Sequence, residues 1–183
     1  MIIGLQGYAG SGKSTVAKYL EERHGFARRH IKAPLAAMTR TLFLYAFPEA
    51  TDEDLHEMVD GTLKRGSLGA LGGRPPTEIQ QFLGTEFGRN FIHPDIWLDI
   101  WSAWAAQHPK VVQESVRFAN EAERCDVIWE VRRPGYVALN GHVSESLPSD
   151  CPDAVLTNDG TEAELMVHVD RLLEVTLKYE KGA

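Results

Sequence analysis

The sequence predicts an α/β fold, with a parallel sheet of about five strands covered by helices on both faces. Short apolar segments alternate along the chain with longer amphipathic segments, which is the pattern of a parallel sheet with helical crossovers. Hydrophobic residues make up 43% of the 183 residues and charged residues 25%, values typical of a globular chain. This length suits one domain of ordinary size, so we expect a single domain over residues 1–183.

The first elements are a buried strand and an amphipathic helix. Residues 1–6 form an apolar run that is too short for a helix and is followed by glycine. From Lys13 onward the apolar residues repeat at helical spacing, and we expect Gly25 to end this helix. Residues 26–31 are interpreted as a second, short strand.

A long helical stretch is expected between the second and third strands. Pro34 suits the first turn of a helix that runs through Phe47, and Thr51 with Asp54 is typical of the start of another. Five glycines within residues 61–73 predict a loop. We expect this stretch to form a lobe of the same compact domain.

Two more helices complete the lobe, over residues 77–90 and from Asp95 to about Gln107. Gly84 and Gly88 lie four residues apart in the first of them, which permits the close approach of another helix or of a nucleotide. Three tryptophans of the second repeat at i, i+4 and i+7, so we expect this stripe to pack in the core. They are Trp97, Trp101 and Trp104.

The second half of the chain returns to alternating strands and helices. In order, it contains a strand, a short helical stretch, a strand, an irregular segment, a strand and a long amphipathic helix. These segments are residues 110–116, a stretch through 124, 126–131, 132–152, 154–156 and 161–179. The irregular segment holds three prolines and two glycines, which exclude one continuous helix.

One motif links the first strand to the first helix. From Gly7 to Ser14 the sequence is a full match to GxxxxGK[ST], the P-loop pattern, and its strand-and-helix context is the expected one. The glycines let backbone N–H groups converge on phosphate oxygens, and the helix N-terminus adds positive potential. Lys13 supplies a cation for the β- and γ-phosphates, and the Ser14 hydroxyl can bind magnesium. We therefore expect a P-loop fold that binds a nucleoside triphosphate rather than a chance glycine-rich turn.

Other signatures of nucleotide and metal sites are missing from the sequence. Its glycines at 7, 10 and 12 do not have the GxGxxG spacing of dinucleotide-binding folds. It contains no guanine-reading NKxD, and its seven histidines form no HxxxH pair. The formal net charge of −7 disfavours a protein that coats a nucleic acid polymer.

We expect a cytoplasmic protein without membrane contact. No apolar run approaches the roughly 18 residues that a membrane-spanning helix requires, and the N-terminal segment lacks the basic leader of a signal peptide. The two cysteines, Cys125 and Cys151, are too few for a disulfide framework. The sequence leaves a homodimer open.

Arginines cluster at the expected ends of elements. They are Arg74, Arg89, Arg117, Arg132 and Arg133. In an open α/β sheet, ligands bind at the carboxyl ends of the strands, so the last three are expected near the phosphates. The alternative for each arginine is an ordinary solvated surface charge.

From end to end the sequence resembles the bacteriophage-type deoxynucleoside monophosphate kinases, relatives of adenylate kinase and dephospho-coenzyme A kinase. The most discriminating segments are LGTEFGR at 83–89, VRFANEAE at 116–123, and RPG with HVSE within 133–145. The resemblance implies a core that binds ATP, a helical acceptor-binding lobe over about 34–108 and a lid over about 132–152.

The resemblance also implies a role for each matching residue. The residues that match ATP-binding positions are Gly7, Ala9, Gly10, Ser11, Gly12, Lys13, Ser14, Thr15 and Asn158, with Ser14 also the implied ligand of Mg²⁺. The residues that match acceptor-binding positions are Lys32, Arg74, Gln81, Glu86, Arg89, Trp97 and Arg117. The implied catalytic cations are Lys13, Arg117, Arg132 and Arg133. Asn158 follows the last strand, where this superfamily often contacts adenine.

The sequence departs from the resembling kinases at one position. Where these commonly end the third strand in Asp-Val-Arg, this chain has Ser115 before Val116 and Arg117. Glu114 is adjacent, but successive strand residues face opposite sides of a sheet, so it replaces the aspartate only if a bulge re-aims it. Glu121 and Glu130 are further alternatives.

The interpretation that follows is a kinase that transfers the γ-phosphoryl group of ATP to a deoxynucleoside monophosphate, with Mg²⁺. One alternative is a small-metabolite kinase, such as one acting on dephospho-coenzyme A. The other is a nucleotide-binding protein with little kinase turnover, which the serine at position 115 makes plausible.

Overall fold

The computed structural model describes residues 1–136 and 151–180, which divide between two compact units. One unit comprises Met1–His30 with Ser102–Ala183 and is called the sheet unit here. The other comprises Ile31–Trp101 and is called the helical unit. The helical unit contains most of the stretch that was expected to form a lobe.

The sheet unit contains five parallel strands, and this confirms the predicted fold class. The strands are β1 (Ile2–Gln6), β2 (Ala27–Arg28), β3 (Val111–Gln113), β4 (Val127–Arg132) and β5 (Ala154–Thr157). Their order across the sheet is β2-β3-β1-β4-β5, so β1 lies at the centre. Two strands are shorter than expected, since β2 does not extend over 26–31 and β3 does not extend over 110–116.

Seven α-helices are found among the described residues. They are α1 (Lys13–His24), α2 (Ala33–Ala46), α3 (Asp52–Val59), α4 (Pro76–Phe82), α5 (Ile96–Ala105), α6 (Ala119–Ala122) and α7 (Glu162–Glu180). Gly25 ends α1 in a left-handed conformation, as predicted. In this part of the chain no helix is both long enough and apolar enough to span a membrane.

Both faces of the sheet are covered. Ile3 and Leu5 of β1 belong to the core that α1 and α7 complete, and Trp129 of β4 is fully buried in the same core. Gly4 points to the other face, where an added Cβ would lie 2.7 Å from Cys125 Sγ and 2.9 Å from Val116 Cγ2. The connection from β3 to β4, which contains α6, therefore packs closely on that face.

Within the helical unit, α2 and α3 share a small core of Phe43, Leu55 and Val59. The predicted cap at Thr51 is confirmed, since its Oγ1 accepts a hydrogen bond from the Asp54 N–H, and the Asp54 carboxylate accepts one from the Thr51 N–H. This reciprocal pair is a capping box, and it fixes the start of α3.

The helix expected over 77–90 is found, but its second half is not an α-helix. Only α4 is α-helical, and Leu83–Ile92 continues it as a π-helix. The indole of Trp97 packs on this element, with Nε1 donating a hydrogen bond to Gly84 O at 2.8 Å. An added Cβ at Gly88 would lie 2.2 Å from the Trp97 ring. The close approach that the two glycines permit is therefore made by an indole.

The prediction that the tryptophan stripe packs in the core is confirmed for two of its three members. Trp97 and Trp101 are buried, with 5% and 2% of their surface exposed. Trp104 is half-buried, and the Arg29 guanidinium lies 5.6 Å from its ring centroid. The segment expected to be irregular begins later than predicted, because β4 extends to Arg132. The lid expected over about 132–152 lies mostly outside the described residues.

Candidate nucleotide-binding site

The loop between β1 and α1 has a backbone path that only glycine follows easily. Gly7, Gly10 and Gly12 all have positive φ angles, of 140°, 78° and 110°. An added Cβ at Gly7 would lie 2.3 Å from Val131 O, and one at Gly12 would lie 2.6 Å from Asn158 Nδ2. The motif glycines are therefore required both by conformation and by space.

The Lys13 side chain folds back over this loop. Its Nζ donates hydrogen bonds to Gly7 O at 2.7 Å and to Tyr8 O at 2.8 Å. The pKa of Lys13 is lowered from 10.5 to about 8, chiefly by burial and secondly by the nearby Arg117 charge, while the Glu114 charge opposes the shift. The ammonium group thus lies in a partly desolvated, electropositive position that suits a bound anion.

A cavity of about 390 Å³ opens beside the loop. Its lining combines glycines, hydroxyl and amide side chains, two cations, one carboxylate and the apolar Leu165 of α7. The lining residues are Gly10, Gly12, Lys13, Ser14, Thr15, Arg133, Asn158, Gly160, Glu162 and Leu165. Six of the nine predicted ATP-binding residues thus line one cavity: Gly10, Gly12, Lys13, Ser14, Thr15 and Asn158.

Asn158 connects the end of β5 to the phosphate loop. Its backbone N–H donates to Arg132 O at 2.8 Å, and its side-chain Nδ2 donates to Ser11 O at 2.8 Å. The sequence identified Asn158 but not its neighbours Gly160 and Glu162 in the cavity wall. The signal for them was the turn-forming pair Asp159–Gly160, which precedes the start of α7. The Glu164 carboxylate accepts a hydrogen bond from the Thr161 backbone N–H at this helix start.

The other motif residues differ in exposure. Ala9 and Gly10 are exposed, whereas Ser11 is buried and its Oγ has no partner among the described residues. Ser14 is exposed and lines the cavity. Tyr136, which the sequence did not single out, lies against the loop, because an added Cβ at Gly10 would be 2.5 Å from its ring.

The donor set fits a metal ion that is held mainly by phosphate oxygens. Mg²⁺ prefers oxygen ligands and commonly takes only one or two from the protein, with substrate phosphates and waters supplying the rest. The Ser14 hydroxyl offers such an oxygen at the cavity. Within residues 1–136 and 151–180, no three His, Cys, Asp or Glu side chains are grouped so that they could hold a metal ion.

Three carboxylates lie at or near the carboxyl edge of the sheet, and each has a partner. Glu114 accepts hydrogen bonds from Arg28, at 2.6 Å from Nη2 and 3.0 Å from Nε. Glu130 is buried and paired with Arg132, at 2.9 and 3.1 Å. Because β3 ends at Gln113, the strand alternation that was expected to turn Glu114 away does not extend to it. The third, Glu121, accepts a hydrogen bond from the Arg117 backbone.

The predicted catalytic arginines have different surroundings. Arg133 lines the cavity, and its guanidinium lies 5.0 Å from the Tyr136 ring centroid. Arg132 is held by Glu130 instead, and this ion pair raises its pKa. Arg117 is exposed, with its Nε donating to Ser115 Oγ at 3.0 Å.

The remaining acceptor candidates lie in the helical unit. Gln81 is exposed in the last turn of α4, and Glu86 and Arg89 follow on the π-helix. The LGTEFGR motif lies entirely on the π-helix. Lys32 and Arg74 are exposed, and Arg74 pairs with Glu78. The last candidate, the Trp97 indole, lies beneath the π-helix in the interior of the unit.

No family model matches the chain. A protein of Acanthamoeba polyphaga mimivirus, provisionally named deoxynucleotide monophosphate kinase, is 30% identical over 187 aligned positions that cover 90% of this chain and 91% of that protein. The chain belongs to the deoxynucleotide monophosphate kinase family.

One solved structure supports the fold of this chain. The crystal structure of TT1252 from Thermus thermophilus is similar to it with a TM-score of 0.51, at 24% identity over 98% of this chain and 97% of that one. The unliganded structure of a sugar kinase from Janibacter is more distant, with a TM-score of 0.44 at 15% identity over 94% of this chain and 92% of that one.

Proposed function

We propose that the protein transfers the γ-phosphoryl group of ATP to a deoxynucleoside monophosphate, giving ADP and a deoxynucleoside diphosphate. The observation that carries the proposal is the phosphate loop, with Lys13 and Ser14 on the wall of a cavity large enough to admit part of a nucleotide. Membership of the deoxynucleotide monophosphate kinase family supports the choice of acceptor. The free thiols of Cys125 and Cys151 are consistent with a cytoplasmic setting, which belongs to the same proposal.

In this proposal the loop binds the triphosphate and Lys13 stabilises the transferring phosphoryl group. Backbone N–H groups between Gly7 and Gly12 would contact phosphate oxygens, and Lys13 would exchange its two carbonyl partners for the β- and γ-phosphates. Bound Mg²⁺, held in part by Ser14, would supply further charge stabilisation of the phosphates. Ala9, Gly10, Ser11, Thr15 and Asn158 complete the proposed set, with Asn158 toward adenine.

The arginines are proposed to stabilise the charge that develops during transfer. Arg133 already lines the cavity, whereas Arg132 would have to exchange its Glu130 partner for a phosphate oxygen. Such an exchange stabilises the transition state only where the interaction of Arg132 with the phosphate is stronger than its lost interaction with Glu130. Arg117 is proposed to bind the acceptor's monophosphate.

The acceptor is proposed to contact polar residues of the helical unit. Gln81, Glu86 and Arg89 lie on one continuous element, on which amide, carboxylate and guanidinium groups could bind base edges and phosphate. Lys32 and Arg74 are proposed as further cations. Trp97 is proposed to act by supporting the π-helix through Gly84 rather than by touching the nucleotide.

A nucleotide-binding protein with little turnover is the second candidate, and Ser115 is the observation that favours it. A serine supplies no carboxylate to orient magnesium or the acceptor where the resembling kinases have aspartate. Glu114, whose charge acts on Lys13, is the carboxylate of this chain best placed to compensate.

A screen of acceptors with ATP and Mg²⁺ separates these functions. ADP release would be measured with each of the four deoxynucleoside monophosphates, the matching ribonucleotides and dephospho-coenzyme A. The proposal expects acceptor-dependent ADP release with at least one deoxynucleotide. ATP binding without release for any acceptor would favour the binding protein, and release with dephospho-coenzyme A alone would identify a different kinase.

A further inference from the structure

Ser115 makes a direct hydrogen bond to a proposed substrate-binding cation. Its Oγ accepts from Arg117 Nε at 3.0 Å. A hydroxyl group carries no charge, so it fixes the direction of the guanidinium and leaves the positive charge uncompensated. A carboxylate at the same position would compensate that charge. Both Nη groups of Arg117 remain outside this hydrogen bond.

A buried amide fixes the position of Ser115. Gln113 is the last residue of β3 and only 1% exposed, and its Oε1 accepts from the Ser115 N–H at 2.9 Å. Its Nε2 donates to Ser115 O at 3.3 Å. Since one buried side chain binds both backbone groups of Ser115, the hydroxyl has a defined place relative to the sheet.

Glu121 binds Arg117 through the backbone. Its Oε2 accepts from the Arg117 backbone N–H at 2.8 Å, and the residue is only 7% exposed. Arg117 is therefore fixed at its backbone by a buried carboxylate and at its side chain by a neutral hydroxyl. A long, flexible arginine that is held at two points loses less entropy when it binds an anion.

We propose that Ser115 is a positioning residue that directs the Arg117 guanidinium toward the acceptor's phosphate, with Gln113 and Glu121 fixing the backbone on either side. This inference rests on the proposed function, which assigns Arg117 to the acceptor monophosphate. It gives the departure from Asp-Val-Arg a role, because serine fixes the direction of the arginine without placing a negative charge beside it.

The test compares Ser115→Ala, Ser115→Thr and the control Ser102→Ala. Ser102 is a suitable control because its Oγ has no partner among the described residues. Titration calorimetry would give the Kd of ATP and of each deoxynucleoside monophosphate, and steady-state assays would give KM and kcat. Ser115→Ala should raise the acceptor Kd and KM about ten-fold, while the Kd of ATP stays within about two-fold. Ser115→Thr keeps the hydroxyl and should stay near wild type.

A second readout does not depend on turnover. The Nε–H resonance of Arg117 should exchange with water faster in Ser115→Ala than in wild type, and Ser115→Thr should restore its protection. Unchanged acceptor Kd in Ser115→Ala, or an equal loss of ATP affinity, would overturn the inference. If exchange responds as expected but wild-type protein binds none of the four monophosphates, the proposed function fails and the assigned role of Ser115 fails with it, while the hydrogen bond itself stands.

Discussion

The ammonium group of Lys13 lies 2.7 Å from Gly7 O and 2.8 Å from Tyr8 O, at the cavity that we assign to ATP. Replacing Lys13 with alanine removes the cation that would stabilise charge on the transferring phosphoryl group. We expect kcat to fall at least about 100-fold, with little change in the thermal unfolding midpoint. Lys18→Ala is the control, because Lys18 lies on the same helix but is exposed and paired with Glu22. Near-normal kcat in folded Lys13→Ala would contradict the kinase proposal.

The lowered pKa of Lys13 gives nucleotide binding a pH dependence. Only the charged amine attracts phosphate, and in the unbound protein the charge is lost as the pH rises through about 8. We therefore expect the Kd of ATP to increase between pH 7 and pH 9.5, and binding near pH 8.5 to take up protons. Calorimetry in two buffers of different ionisation enthalpy measures both effects. Lys13→Ala should bind weakly and lose this component of the pH dependence.

The same pKa sets the sign of one contribution to stability. The pKa of Lys13 is lowered from 10.5 to about 8, so between these values the unfolded chain holds a proton that the folded chain has released. The contribution of this group to the free energy of unfolding therefore increases as the pH rises from about 8 to 10.5. Below about pH 8 the buried charged amine lowers the stability of the folded state. Lys13→Ala should therefore flatten this part of the profile, as measured by urea denaturation at several pH values.

At the scale of residues, the sequence predicted the members of the phosphate loop but not the hydrogen bonds between side chains elsewhere in the proposed site. Lys13, Ser14 and the motif glycines could be identified because phosphate binding demands a fixed local spacing. The bond between Ser115 and Arg117 could not, because it depends on where β3 ends and on a buried amide from Gln113. Side-chain contacts that follow from the end of a strand leave no periodic signal.

At the scale of elements, Gly88 decides how closely α5 approaches the π-helix. An added Cβ would lie 2.2 Å from Cζ2 of Trp97, whose rigid ring is buried. We expect Gly88→Ala to lower the free energy of unfolding by about 1–3 kcal/mol. Gly84→Ala is the matched control, because its Cβ would meet only the flexible end of Leu35 at 3.2 Å. Urea denaturation followed by tryptophan fluorescence measures both, and equal losses would contradict the packing argument.

The elements that the sequence predicted well have local causes. The start of α3 follows from the Thr51 and Asp54 side chains, and the end of α1 follows from Gly25. The sequence predicted a helix at Leu83–Ile92 but not that it is a π-helix. The Trp97 indole, which donates a hydrogen bond to Gly84 O, lies thirteen residues away in the chain. A non-local contact of this kind cannot be recognised from the pattern within 77–90.

For the whole molecule, the alternation of strands and helices was enough to predict a five-stranded parallel sheet with a helical interruption. The observed boundary of the helical unit, Ile31–Trp101, differs from the expected lobe over 34–108, since α5 continues across it. Apolar periodicity cannot mark such a boundary, because one helix contributes residues to both units.

The last prediction concerns the two arginines proposed to bind the acceptor, Arg89 and Arg117. If each binds the acceptor phosphate, Arg89→Ala and Arg117→Ala should raise the acceptor KM about ten-fold to one-hundred-fold. The KM for ATP should stay within about two-fold. Arg40→Ala is the control, because Arg40 lies in the helical unit and pairs with Asp52 at 2.6 Å outside every proposed contact. Equal increases in both KM values would mean that these arginines act on ATP or on folding instead, and the assignment would then be wrong.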